Sequence, residues 1–186
     1  LGLAGDDEVL LYVGGVSPRK LGPDGRSTFA IADAVLTARP RAHLLLVGPQ
    51  SLPDLLARID AAPWRDRVHL PGTLPFADVV RYYLASDLCV FPVYESGFPR
   101  IVLESMALGV PFVAFDPGGL RDLANEEQGQ YVLPVSEDAR FAELVGALLD
   151  DPERRAHLTA IGNARVQRYA TETVAQDFVA KFVAHQ

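Results

Sequence analysis

Val9-Leu10-Leu11-Tyr12-Val13 is followed at once by Gly14-Gly15. An unbroken apolar run of this length, closed by glycine, reads as a strand buried on both faces. The pattern returns along the chain. Leu44–Val47 closes on Gly48-Pro49, Val68–Leu70 on Pro71-Gly72, and Leu88–Phe91, Pro111–Phe115 and Tyr131–Leu133 complete six strand candidates. Helical segments lie between them. Thr28–Ala38 follows a candidate Ser27 cap and stops before Pro40, and Pro53–Asp60 is short. Phe76, Val79, Val80, Tyr83 and Leu84 recur at spacings of three and four, as on one face of a helix. Ile101–Leu108 reads as a helix with Pro99 in its first turn. Three helices close the chain. One carries Phe141, Leu144, Val145, Leu148 and Leu149, one starts near Asp151-Pro152, and the last carries Val174, Phe178 and Phe182. Strands alternating with helices predict an α/β fold: a parallel sheet of about six strands in a three-layer sandwich, plus C-terminal helices.

The chain has 186 residues, enough for one domain with its own core and no need of staples. Seventeen Lys and Arg against 24 Asp and Glu give a formal charge of -7, which argues against sequence-independent nucleic-acid binding. An anionic small ligand in one local basic pocket stays open. The single Cys89 sits in an apolar run and reads as a buried thiol, which fits a reducing, cytoplasmic setting. The four histidines show no metal-ligand spacing, and no metal site is expected.

In an open parallel sheet, ligands bind beyond the carboxyl ends of the strands. Those ends read Gly14-Gly15, Gly48, Gly72, Ser96-Gly97 and Gly118-Gly119. Each alone is explained by a tight turn. Five on one edge would expose backbone N–H groups to a closely approaching phosphate. The first loop, Gly14 to Ser27, reads as one long irregular stretch and holds Arg19 and Lys20, the latter one of only two lysines. An ammonium there suits a phosphate counter-charge, although a solvated loop charge is the plainer reading. Neither G-x-G-x-x-G nor G-x-x-x-x-G-K-[ST] is present, and the second strand is not followed by an acid for a ribose of NAD.

Glu95-Ser96-Gly97-Phe98-Pro99-Arg100-Ile101-Val102-Leu103-Glu104-Ser105-Met106-Ala107-Leu108-Gly109-Val110-Pro111 resembles the signature of the group 1 retaining glycosyltransferases of GT-B fold, roughly P-S-x-x-E-G-F-G/P-x-x-x-L-E-A-M-A-x-G-x-P. Leu11 to Lys20, Leu45 to Gly48, Val68 to Gly72 and Val110 to Gly119 follow in family order, so the resemblance runs from about Val9 to the C-terminus. It implies a Rossmann-like fold that binds a nucleoside-diphosphate sugar and transfers the sugar, a hexosyl group, with retention of configuration.

By the same resemblance, Lys20 neutralises the leaving diphosphate, with Gly14, Gly15, Arg19, Gly97, Phe98, Pro99 and Arg100 around the donor. Glu104 accepts hydrogen bonds from the ribose hydroxyls, and Gly72, Thr73 and Leu74 meet the base, UDP and GDP both being open. A further carboxylate of the family contacts the donor sugar. Counting back from Glu104 places Ser96 there, with Glu95 one residue early, so either a one-residue bulge brings in Glu95 or Ser96 takes its place. The family often has a basic residue where this chain has Gly15. No cofactor is implied, because the nucleotide sugar is the substrate.

Whole enzymes of this kind have a second, N-terminal acceptor domain, which this sequence does not match. Residues 1–8 are then expected to be a linker remnant and 9–186 a donor-binding domain without transfer activity of its own. Any peripheral membrane association is expected through the absent domain. The alternatives are a nucleotide-sugar binding module that has lost catalysis, and a structural Rossmann-like interaction domain that binds no nucleotide.

Overall fold

A computed structural model describes residues 2–95 and 100–170. Six strands form one parallel sheet: β1 (Glu8–Val13), β2 (Ala42–Val47), β3 (Val68–Gly72), β4 (Leu88–Phe91), β5 (Phe112–Asp116) and β6 (Val132–Pro134). Their spatial order is β3-β2-β1-β4-β5-β6. The chain therefore winds outward from β1 in one direction, returns, and winds outward from β4 in the other. Loops leaving β1 and β4 diverge at this point, and the crevice between them is where doubly wound sheets hold ligands.

The sequence expectation of six apolar strands is met, with boundaries shifted by no more than two residues at either end. The buried residues explain why. Leu10, Leu11, Tyr12, Leu45, Leu46, Cys89, Val90, Phe91, Val113, Ala114 and Phe115 are all nearly inaccessible, so both faces of the central strands are covered. Burial pushes the Cys89 thiol up to about 12, as expected for a thiol among apolar neighbours.

Nine helices lie among the described residues: α1 (Pro18–Leu21), α2 (Arg26–Ala38), α3 (Pro53–Asp60), α4 (Phe76–Leu84), α5 (Arg100–Ala107), α6 (Leu120–Leu123), α7 (Glu126–Gly129), α8 (Asp138–Asp150) and α9 (Pro152–Val166). With this strand order, the right-handed rule for parallel crossovers puts α2 and α3 on one face and α4 and α5 on the other. Beyond β6 the chain crosses both faces, so that α8 packs beside α2, and α9 beside α5. Phe141 of α8 meets the edge of Phe115 with ring centres 5.0 Å apart. Asp151 caps α9 by accepting from the Arg154 N–H at 2.8 Å.

Three expectations are corrected. Ser27 is not a helix cap: α2 starts at Arg26, two residues earlier than expected, behind Gly25 at φ 64°, where a Cβ would lie 2.9 Å from Leu52 and Leu55. The stretch from Gly14 to Ser27 is not wholly irregular, because Pro18–Leu21 forms a helical turn. Its start suits proline, whose missing N–H would be unpaired there anyway. On α4 only Val79 and Tyr83 turn fully inward, while Phe76 and Leu84 are each 67% exposed. Phe76 and Leu84 are the first and last residues of that helix, so its apolar stripe is covered only in the middle. The last expected helix, with Val174, Phe178 and Phe182, lies outside the described residues.

Thr28, in the first turns of α2, has a buried hydroxyl with no hydrogen-bond partner among the described residues. It borders a void of about 20 Å³ lined by Leu10, Tyr12, Ile31, Ala32 and Leu46 among others. An unsatisfied buried hydroxyl costs about 1–3 kcal/mol, and valine has nearly the same shape. Thr28→Val is therefore expected to stabilise the chain by about 1 kcal/mol, seen as a melting temperature raised by roughly 2–4 °C. A lowered melting temperature would mean the hydroxyl has a partner after all.

Candidate functional site

The rim is assembled by sewing neighbouring loops together. The Val16 N–H donates to the Pro49 carbonyl at 2.9 Å and the Ser51 N–H to the Val16 carbonyl at 2.8 Å, so the loops after β1 and β2 run in parallel. Val16 and Leu21 are fully buried and anchor the first loop at two points. The turn between these anchors leaves Arg19 exposed and Lys20 half-buried at the rim.

Four of the five glycine-bearing tips, at Gly14-Gly15, Gly48, Gly72 and Gly118-Gly119, lie on one edge and do different work, and the fifth, Ser96-Gly97, lies outside the described residues. The Gly14 N–H donates to the Val47 carbonyl at 2.8 Å, and the Gly48 N–H to the Gly72 carbonyl at 2.9 Å. Neither N–H is open to a phosphate. A Cβ on Gly48 would fall 2.0 Å from the Gly14 carbonyl oxygen, so glycine there serves close packing of two backbones. This corrects the expectation that these tips all present backbone donors. Gly72, Gly118 and Gly119 face open space instead. The Gly118-Gly119 tip is shaped by Asp116, whose carboxylate accepts from the N–H groups of Gly118 and Leu120 at 2.9 and 3.0 Å. Among the described residues, the Gly15 and Gly119 N–H groups have no protein acceptor.

Lys20 is where the crevice opens. Its Nζ donates to the Glu95 carbonyl at 3.1 Å, and its own carbonyl accepts from the Tyr94 N–H at 2.8 Å. The loops after β1 and β4 are thus joined by two reciprocal bonds at the switch point. Arg19 Nε stands 3.9 Å from a Glu95 carboxylate oxygen, an exposed pair that contributes little to stability. Arg100 opens α5 on the same rim and is exposed. Lys20, Arg19, Glu95 and Arg100 are therefore gathered on the loops that flank the crevice. Ser96, Gly97, Phe98 and Pro99 lie outside the described residues, so the choice between Glu95 and Ser96 for the sugar stays with the sequence.

Glu104 is half-buried in the middle of α5. One of its carboxylate oxygens lies 3.3 Å from the hydroxyl of Tyr83, which reaches across from α4. Burial, and then the neighbouring Cys89 and Glu104, hold that phenol well above its ordinary range, so it is a donor at any accessible pH. Gly72 ends β3 and Thr73 and Leu74 follow it, on a strand two spacings, roughly 10 Å, from β1.

Sequence reasoning missed Tyr83, Tyr94 and Ser136. Tyr83 had a plain core reading. Tyr94 carried a weak signal, a large aromatic three residues before Gly97 in the sequence. Ser136 carried none: it takes φ 75°, the one left-handed residue other than glycine among the described residues.

With this geometry in hand, the likenesses to known proteins fall into place. The family described as "Glycosyl transferases group 1" matches residues 7–151. D-inositol 3-phosphate glycosyltransferase of Thermobispora bispora is 33% identical over 86% of this chain and 39% of its own length. A GDP-mannose-dependent monoacylated alpha-(1-6)-phosphatidylinositol monomannoside mannosyltransferase of Corynebacterium glutamicum is 33% identical over 72% of this chain and 36% of its own. Anabaena HepE, solved in complex with UDP, superposes with a TM-score of 0.80 at 22% identity, covering 96% of this chain and 49% of that one. The doubly wound sheet with its basic crevice is a GT-B glycosyltransferase domain. The chain belongs to the group 1 glycosyltransferase family and spans about two-fifths of the length of the curated relatives it matches.

Proposed function

We propose that this chain is the donor-binding domain of a retaining glycosyltransferase that transfers a hexosyl group from a nucleoside-diphosphate sugar. One observation carries the reading: an ammonium, Lys20, is held between the loops that diverge at the β1/β4 switch point. The diphosphate is placed against Lys20 and Arg19, with the Gly15 N–H among the backbone donors that complete its seat. The ribose hydroxyls are placed on the Glu104 carboxylate and the base beside Gly72, Thr73 and Leu74. The sugar lies toward Glu95 or Ser96.

As the bond from sugar to diphosphate breaks, negative charge grows on the leaving oxygen and positive charge on the sugar ring. A fixed cation beside the leaving group lowers that barrier electrostatically, because it is more strongly attracted in the transition state than in the ground state. The acceptor is brought by a second domain, so the 186 residues are read as binding donor without transferring sugar. The base is open, since one relative is named for GDP-mannose and a fold neighbour holds UDP.

Calorimetric titration of the chain with UDP and with GDP tests this reading. Binding of one of them is expected. Glu104→Gln is expected to weaken that nucleotide about tenfold while leaving its 2′,3′-dideoxy analogue nearly unchanged, since a hydrogen bond to a charged group is worth about 1.5–3 kcal/mol. Failure of both nucleotides to bind at millimolar concentration would overturn the assignment.

A further inference from the structure

We propose that Tyr94 is a positioning residue that sets Lys20 for the diphosphate; this rests on Lys20 being the diphosphate's counter-charge. Tyr94 leaves β4 three residues beyond its end and meets three other rim segments at once. Its N–H donates to the Lys20 carbonyl at 2.8 Å. Its ring lies against Gly22, where a Cβ would sit 3.4 Å from ring carbons and φ is 81°. Its hydroxyl lies 2.5 Å from the Ser27 hydroxyl, at the buried start of α2, and 3.2 Å from the Ser136 hydroxyl, in the loop after β6. The far edge of the ring meets Phe115 of β5 with centres 6.3 Å apart.

These contacts make one side chain the joint between the loops after β1, β4 and β6. The Lys20 turn is held from both sides, by the buried Leu21 within it and by Tyr94 across the crevice. Left-handed backbone at Ser136 costs free energy, and the hydroxyl bond to Tyr94 is a contact that offsets it. A cation binds a diphosphate best when its stem is already in place, because less freedom is lost on binding. Tyr94 supplies that placement without touching the nucleotide.

The readout is the ratio of affinities for UDP over UMP, or GDP over GMP if guanine is the base, measured by calorimetry on the 186-residue chain. This ratio reports the second phosphate alone. Tyr94→Phe keeps the ring and removes only the hydroxyl bonds, so the ratio is expected to fall about threefold, with monophosphate affinity unchanged. Tyr94→Ala also removes the packing on Gly22 and is expected to lower the ratio about tenfold. Tyr94→Phe serves alone if the alanine variant does not fold. The inference is overturned if Lys20→Ala collapses the ratio while Tyr94→Phe leaves it unchanged. Equal loss of both nucleotides in the Tyr94 variants also overturns it, because that is a purely structural effect. A ratio unmoved by Lys20→Ala overturns the reading of Lys20 itself, and this inference with it.

Discussion

Replacing Gly48 by alanine is expected to lower the melting temperature by roughly 10–20 °C, the largest single-residue effect this fold predicts outside its apolar core. Two costs add. Gly48 takes φ 142°, a conformation that disfavours any side chain by about 1–3 kcal/mol. A Cβ there would fall 2.0 Å from the Gly14 carbonyl oxygen and 2.7 Å from its carbon, so the loops after β1 and β2 must part. Such overpacking costs typically about 1–3 kcal/mol, and parting the loops also strains the bonds from Gly14 to Val47 and from Gly48 to Gly72. With the strain in those bonds added to the two costs, the total is about 3–6 kcal/mol, a large share of the roughly 5–15 kcal/mol that holds a domain together. Gly72→Ala is the matched control. Its φ of 75° is left-handed too, but a Cβ there meets nothing within 4 Å. It is expected to lose only about 1–2 kcal/mol. Circular dichroism melts of the two variants compare them directly, and equal losses would show that backbone approach is not the reason for Gly48.

Lys20→Ala is expected to weaken binding of the cognate nucleoside diphosphate roughly 10- to 100-fold, with much less effect on the monophosphate. A hydrogen bond from a charged donor is worth about 1.5–3 kcal/mol, and each 1.4 kcal/mol is about tenfold. The fold is expected to survive, because the ammonium donates to a main-chain carbonyl at the rim and supports no part of the core. Salt supplies a second check. Raising ionic strength should weaken diphosphate binding more in the parent than in the variant, which has lost one cation at the site. Equal affinity for the diphosphate in both proteins would remove Lys20 from the site. In a full-length enzyme containing this domain, the same substitution is expected to abolish transfer, since the leaving group loses its nearest counter-charge.

Much of this was legible before any coordinates. The apolar runs at Leu88–Phe91 and Leu44–Val47 are strands because no other structure buries four consecutive apolar residues on alternating faces so compactly. Lys20 was singled out through the family resemblance, since a lysine in a loop, taken alone, reads more plainly as a solvated charge. Glu104 was legible only through its motif, since on periodicity alone it is one more polar residue on a helix. The start of α2 was misread because Ser27 looks like a cap, yet its hydroxyl is taken by Tyr94, a residue 67 positions away. Phe76 and Leu84 were misread because periodicity registers which residues are apolar and not which of them the rest of the fold covers.

What the chain of letters determined by itself was the class of fold, the glycine-bearing edge at the carboxyl ends of the strands, and the presence of Arg19 and Lys20 beside it. These follow from local rules: strand and helix periods, turn residues, and the fact that parallel strands end on one side. The tertiary structure alone decided which glycines pack against backbone and which face open space, and that Tyr83 reaches Glu104. It also decided that Tyr94 joins three loops. Those are contacts between residues distant in sequence, set by strand order and by a few ångströms of approach, and no local pattern encodes either.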